Sequence, residues 1–404
     1  MPQYVSALDD ADLPLMLLGD SAITHNIRVM ATFCADNSVH LAPHAKTHMS
    51  EELCRRQIQA GAWGMTAATP AQVRALAGFG IERILHANLL VDRAAIEWVA
   101  RTFLDAVGGG SEYCCYVDSV DGLTLLEAEL ARLAPAAKLR VLLEVGFAGG
   151  RTGLRSDTEA IALAHAVAES SYLELVGVAG FEGLMPLADG SYPAEVPLFL
   201  ARMHALTEYC ASAGLFAGTP IVTAGGSSFF DLVVDHLGPD NFTFPVTCVL
   251  RSGCYITHDH GLYERTSPFG LRGGHEQEHF VPALELLASV LSRPEPDRVI
   301  VGFGRREAPT DAGLPVVLGR LRGVPHEEAA PSEDTVPHED TAGWEVTGVN
   351  DHHAFLRVPV EATVSPGDVL RFGISHPCGA FDRWRSIPLV DDQRRVIGTI
   401  NPVL

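Results

Sequence analysis

VHLAPHAKTHMSEELCRRQIQAGAWGMTAA, residues 39–68, sets the period of the chain. VHLAP reads as a strand of apolar and small side chains, and MSEELCRRQIQAG as a helix with Gly61 at its C-terminal cap. WGMTAA (63–68) is a second strand. Thr69 and Pro70 suit an N-cap and a first helical position, so TPAQVRALAGFG opens the next helix. The rhythm runs on through RILHANLL, CCYVDS, LRVLLEVG, LELVGVAGF, PIVTAGG and VTCVLRSG, each with room for a helix before its successor. About eight such alternations imply a parallel sheet, and their number predicts a (β/α)8 barrel of the TIM type within an α/β fold. An open doubly wound sheet is the alternative on pattern alone.

After about residue 275 the rhythm changes. DRVIVGFG, LPVVLGRL, WEVTGVN, HAFLRV, DVLRFGI and VIGTIN are short strand-like pieces separated by turn residues, as in a mostly antiparallel β domain. The expected division is a barrel over 21–265 and a β domain made of 1–20 plus 266–404. The acidic, Pro-containing stretch 323–343 reads as an exposed loop.

At 404 residues the chain is too long for one ordinary core. Its 47% apolar and 20% charged residues are those of a globular protein. A formal charge of −21 argues against a nucleic-acid partner, since phosphate backbones require basic patches. An anionic ligand would need local Arg, Lys or backbone N–H groups. No apolar run is long enough to span a bilayer, and the acidic start lacks the pattern of a secretory signal, so a cytoplasmic location without membrane attachment is expected. The eight cysteines are scattered without a C-x-x-C pair, which points away from a disulfide framework and a four-cysteine zinc site.

Several segments carry chemistry. PHAKTH (43–48) puts Lys46 just past a strand, at the barrel end where catalytic groups gather. His44 and His48 would share its face if the strand continued that far. An amine partly removed from water can attack an aldehyde, although a surface lysine in a turn fits the residues too. TAGGSSFFD (223–231) offers Gly225, Gly226, Ser227 and Ser228 at a helix start, as a phosphate site or as a plain connection. GGRTG (149–153) places Arg151 where it could meet a ligand oxygen or lie in solvent. In SHPCGAFDRW (375–384), His376 and Cys378 at i and i+2 would face one way on a strand and make a zinc-preferring pair, if not a chance one. Asp351, His352 and His353 could supply a ligand, a supporting carboxylate or a base, or be solvated. Arg251, Tyr255, His258, Asp259 and His260 could rim a pocket or form a structural loop.

Taken in order, LLGDSAITHNI (17–27), PHAKTH, GRTG, AGGSS and the terminal HPC resemble the D-threonine aldolase and D-serine dehydratase family, nearly end to end. That resemblance implies the alanine-racemase-type fold and pyridoxal phosphate carried by Lys46. It implies a phosphate held by Gly225, Gly226 and Ser227, with His44, Arg151, Thr223 and Tyr255 also at the cofactor. His376 and Cys378 would hold Zn2+ or another divalent ion. Met49 stands where many relatives are basic, and Phe181 and Leu184 where relatives often have Tyr and His. Cofactor contacts by those groups are therefore not carried over. HPCGAFDRWRSIPLVDD looks closest to the bacterial amino-acid deaminase or D-serine dehydratase branch.

The implied activity is dehydration of a small D-β-hydroxy-amino acid to a 2-oxo acid and ammonia. The freed amine of Lys46 would take the Cα proton, while the metal makes the hydroxyl a better leaving group. Retro-aldol cleavage to glycine and an aldehyde, with His353 as base, is the alternative. A racemase or a non-catalytic cofactor carrier stands further off. A homodimer is expected from the resemblance.

Overall fold

The computed structural model describes residues 12–105, 111–185, 194–273, 278–321 and 341–403. It divides into two units. One is the contiguous stretch Met30–Gly253; the other combines the chain up to Val29 with Cys254 onward.

The segment preceding the first periodic repeat forms β1 (Leu15–Gly19). The parallel strands then follow as β2 (His40–Leu41), β3 (Met65–Ala67), β4 (Arg83–Leu89), β5 (Glu112–Val117), β6 (Leu139–Val145), β7 (Leu173–Gly180), β8 (Ile221–Ala224) and β9 (Thr247–Leu250). They pair in the order β2-β9-β8-β7-β6-β5-β4-β3. The ring closes because Trp63 N donates to Leu41 O at 2.7 Å and Thr66 N to Pro43 O at 2.9 Å. This is the expected barrel, not the open sheet. Ala42, Leu85, Tyr116, Leu142, Ala179, Ile221 and Val249 pack together in one buried cluster.

Local chemistry explains the helix starts. Thr69 caps as expected, accepting from Gln72 N, and Pro70 occupies the first helical turn. Ser50, Asp92, Ser119 and Ser156 do the same for the helices that follow them. Gly61, one residue past the C-cap of helix Glu51–Gln59, takes a φ of 99°. That left-handed conformation is the reason a glycine ends this helix.

In the other unit, β10 (Leu284–Glu295), β11 (Arg298–Val301), β12 (Val316–Leu321), β13 (Glu345–Val349), β14 (Ala354–Arg357), β15 (Val369–Gly373), β16 (Ile387–Val390) and β17 (Val396–Ile400) join β1 in a nine-stranded sheet. All its described pairings are antiparallel except β1 with β16. The N-terminal strand thus adds to the β domain, through register Leu18↔Leu284. Residues 322–340, most of the predicted acidic loop, lie outside the described residues.

Glu285 on β10 shows how this sheet holds charge. Arg371 approaches it to 2.7 Å and Arg394 to 3.3 Å, all three largely shielded from water. Burial alone would raise the carboxyl pKa; the Arg371 hydrogen bond and both positive charges reverse that and hold it below the usual range. A carboxyl depressed in the folded state contributes its stability above the ordinary pKa and loses it as pH falls through the depressed one. Glu285→Gln should therefore cost about 2 kcal/mol at pH 7. Urea denaturation should show the gap closing as pH falls below the ordinary carboxyl range and through the depressed value, and a gap that does not change with pH would disprove a charge origin.

Candidate cofactor pocket and metal centre

Lys46 sits in a 3-10 turn, Ala45–Thr47, directly after His44 ends the extended chain. The strand does not continue, so His44, Lys46 and His48 do not share a strand face as the spacing suggested. His48 is instead buried: its Nδ1 accepts from Ser50 N at 3.0 Å and its Nε2 meets Gln57 Oε1 at 3.2 Å. It anchors the lysine turn to the next helix, and burial lowers its pKa to about 4 despite the Gln57 hydrogen bond. Met49, at a φ of 41°, makes the link between turn and helix.

His44 lies at the centre of a cationic group. Burial first, then the charges of Lys46, Arg251 and Arg151, push its pKa well down, so the imidazole is neutral at physiological pH. Its Nδ1 is buried without a hydrogen-bond partner in the protein. Gly253 packs against the same turn: a Cβ there would lie 2.5 Å from His44 O. Only glycine lets the end of β9 approach the lysine segment so closely.

Arg251 is buried and donates to Thr223 Oγ1 at 2.6 Å and to Gly180 O. Thr223 is fully buried and also donates to Val249 O, so its hydroxyl is engaged inside the barrel. Arg151 lies over the Phe181 ring, 4.6 Å from its centroid. Arg155 shapes the loop that carries Arg151 by donating to the carbonyls of Gly150, Arg151, Thr152 and Gly153. Lys46, Arg251 and Arg151 thus concentrate positive charge around His44.

The glycine turn holds an anion already, one of the protein's own. Glu182, fully buried, accepts from Gly226 N at 2.8 Å and from Gly225 N at 3.2 Å. Gly225 has a φ of 90°, which turns these amides toward a common acceptor. Both amides expected at a phosphate therefore donate to a carboxylate here, while Ser227 and Ser228 follow at the helix start, mostly buried. Glu182 was not foreseen, because its partners lie over 40 residues away.

In the β unit, His376 and Cys378 come together with Cys254. One ligand atom from each lies within 4.8 Å of the others, the one such cluster of three among the described residues. The sulfurs of Cys254 and Cys378 are 3.4 Å apart. His376 and Cys378 are not on a strand. They follow the end of β15, and Cys378 starts the short helix Cys378–Phe381. Asp311 Oδ2 lies 2.6 Å from His376 Nδ1. Burial would lower the His376 pKa, but the Cys378 and Asp311 contacts raise it to about 9. Tyr255 is buried, its ring 5.9 Å from that of Phe280. His353 is exposed in the turn between β13 and β14 and stands outside the cysteine–histidine cluster. Its neighbours are paired elsewhere, Asp351 with Arg305 at 2.6 Å and His352 with Glu307 at 2.7 Å. Cys254 and Asp311 were not foreseen as part of this cluster. A cysteine just beyond the last barrel strand, in LRSGCY, was the available signal for the first.

The family model described as "Alanine racemase, N-terminal domain" matches residues 20–237, more than half of the chain. The chain belongs to that family. A second model, described as a putative serine dehydratase domain, matches residues 283–390. D-threonine aldolase of an Arthrobacter species is 25% identical over 386 residues, covering 94% of this chain and 89% of its own. 3-Hydroxy-D-aspartate aldolase of Paracoccus denitrificans (strain Pd 1222) is 25% identical over 318 residues, 78% of each chain. Among solved structures, D-threonine aldolase from Filomicrobium marinum aligns with a TM-score of 0.76 at 23% identity, over 98% of this chain and 95% of that one. D-threo-3-hydroxyaspartate dehydratase from Delftia sp. HT23 gives 0.72 at 20% identity, over 97% and 98%. The alanine-racemase-type fold expected from the motifs is thereby established. No described helix is long and apolar enough to cross a membrane.

Proposed function

We propose that this protein is a pyridoxal-phosphate-dependent lyase of small D-3-hydroxy-amino acids, a dehydratase first and an aldolase second. One observation carries the reading: Lys46 stands in a turn beyond the end of β2, beside a neutral His44 whose Nδ1 has no partner in the protein, with Arg151 and the buried Arg251 close enough to act on that ring. The residues suit the cofactor. Gly225 and Gly226 form a turn able to hold an anion, filled here by the Glu182 carboxylate that a phosphate would displace, and the orphaned His44 Nδ1 would be satisfied by a ligand with hydrogen-bonding capacity. When bound, the cofactor supplies an electron sink for the charge left on Cα.

The chain's own groups supply the rest. Lys46 Nζ would hold the cofactor, and the same amine is the base for the Cα proton. Arg151 and Arg251 hold negative charge in a pocket that the net charge would otherwise make hostile to it. His376 and Cys378 would hold Zn2+, whose chemistry when bound is to polarise a hydroxyl oxygen. Dehydration is favoured over retro-aldol cleavage because the proposed aldolase base, His353, lies in an exposed turn. The aldolase reading keeps its place because the two curated relatives above are both aldolases by name. A homodimer in the cytoplasm completes the proposal.

Product analysis tests it. D-serine should give pyruvate and ammonia, and D-threonine 2-oxobutanoate and ammonia. Glycine with acetaldehyde as the main products from D-threonine would replace the dehydratase by the aldolase, and no turnover of either would refute both.

A further inference from the structure

The two-ligand metal site read from the C-terminal motif is short by one residue. We propose that Cys254 is a third protein ligand, giving a Cys2His centre with a single open coordination position and Asp311 as the group that orients His376. This rests on the metal-bearing reading above and extends it.

The spacing suits ligands that share one ion. Two thiolate sulfurs about 2.3 Å from one zinc ion, at the tetrahedral angle, stand about 3.8 Å apart. The Cys254 and Cys378 sulfurs stand 3.4 Å apart, too far for a disulfide bond of about 2.05 Å and near the edge such an ion would set. These cysteines are 124 residues apart, and the imidazole of His376 comes within the same 4.8 Å envelope. Asp311 Oδ2 at 2.6 Å from Nδ1 occupies that nitrogen and leaves Nε2 as the ligand atom. Tyr263 closes one side, its ring edge-on to His376 with centroids 5.9 Å apart.

The chemistry follows from the donor set. Two thiolates and an imidazole select zinc over the oxygen-preferring magnesium and manganese. The two thiolate charges cancel that of the ion, so the centre is neutral before substrate arrives. Three protein ligands with one open position is the catalytic form of a zinc site. A substrate therefore offers it one oxygen, its hydroxyl, and a second carboxylate on the β-carbon finds no place to chelate. The substrate class this centre fits is a D-hydroxy-amino acid with a neutral side chain.

Cobalt substitution of the full-length protein tests the ligand set apart from turnover. Wild type exchanged with Co2+ should show thiolate-to-cobalt charge transfer at two-sulfur intensity, and C254S should show roughly half of it. D311N should keep the full intensity but bind about 10–100-fold more weakly. An unchanged band in C254S, or no cobalt bound by wild type, would overturn the proposal. Should C254S fail to fold, alkylation of wild type decides. Added Zn2+ should protect both Cys254 and Cys378 from modification, and protection of Cys378 alone would overturn it. Two-sulfur intensity without turnover of D-serine or D-threonine would confirm the ligands while sinking the lyase reading, so the two failures are distinct.

Discussion

Lys46→Ala should yield a folded protein without the visible absorbance of a lysine-bound pyridoxal cofactor, and with activity lower by about three orders of magnitude or more. Two losses combine in that figure. The covalent link to the cofactor disappears, and so does the amine that moves the Cα proton, a role worth about 10²–10⁴-fold on its own. The fold should survive because Lys46 is partly exposed and its turn is held by neighbours, His48 through Ser50 and Gln57 and Gly253 against His44 O. Borohydride reduction of wild type followed by peptide mapping checks the same assignment. A pyridoxyl group fixed on another residue, or an unchanged spectrum in the variant, would reject Lys46.

Removal of the metal should stop the reaction while leaving the cofactor's absorbance in place. Polarising a leaving hydroxyl is worth several kcal/mol, so Cys378→Ser or exhaustive chelation should slow turnover by about 10³-fold. Readdition of Zn2+ should restore the chelated enzyme. Full activity in a protein shown to be metal-free would separate the cysteine–histidine cluster from the chemistry. The spectrum distinguishes this outcome from loss of the cofactor, since Lys46 and the cluster belong to different units of the chain.

Much of the architecture was legible because one physical signal repeats. Strands of two to eight residues alternating with helices, several of them capped by a side chain, recur from His40 to Leu250, and residues such as Thr69, Pro70 and Gly61 mark the ends. The lysine turn, the glycine turn and the His-x-Cys motif could be read locally as well. What escaped depends on distance along the chain. β10 was not singled out because LELLASVLSRPE lacks a clean alternation, and its register against β11 is broken by two shifts. Glu182 reaches Gly225 across 43 residues, Asp311 reaches His376 across 65, and Cys254 reaches Cys378 across 124. No local periodicity encodes such meetings. His376 and Cys378 do come together, but a turn into a short helix places them, not the pleat of a strand that their spacing suggested.

The N-terminal strand β1 has a consequence for biosynthesis. Leu18 pairs with Leu284, 266 residues later, whereas the barrel unit Met30–Gly253 is one uninterrupted stretch. At ribosomal rates of about 5–20 residues per second, the apolar segment LMLLG waits on the order of 10–50 s for its neighbour to be made. During that interval the barrel can close behind it, while a sticky leader remains open to chaperones or to other nascent chains. Overproduction should therefore suffer most from slow translation between β9 and β10, where the leader has emerged and its partner has not.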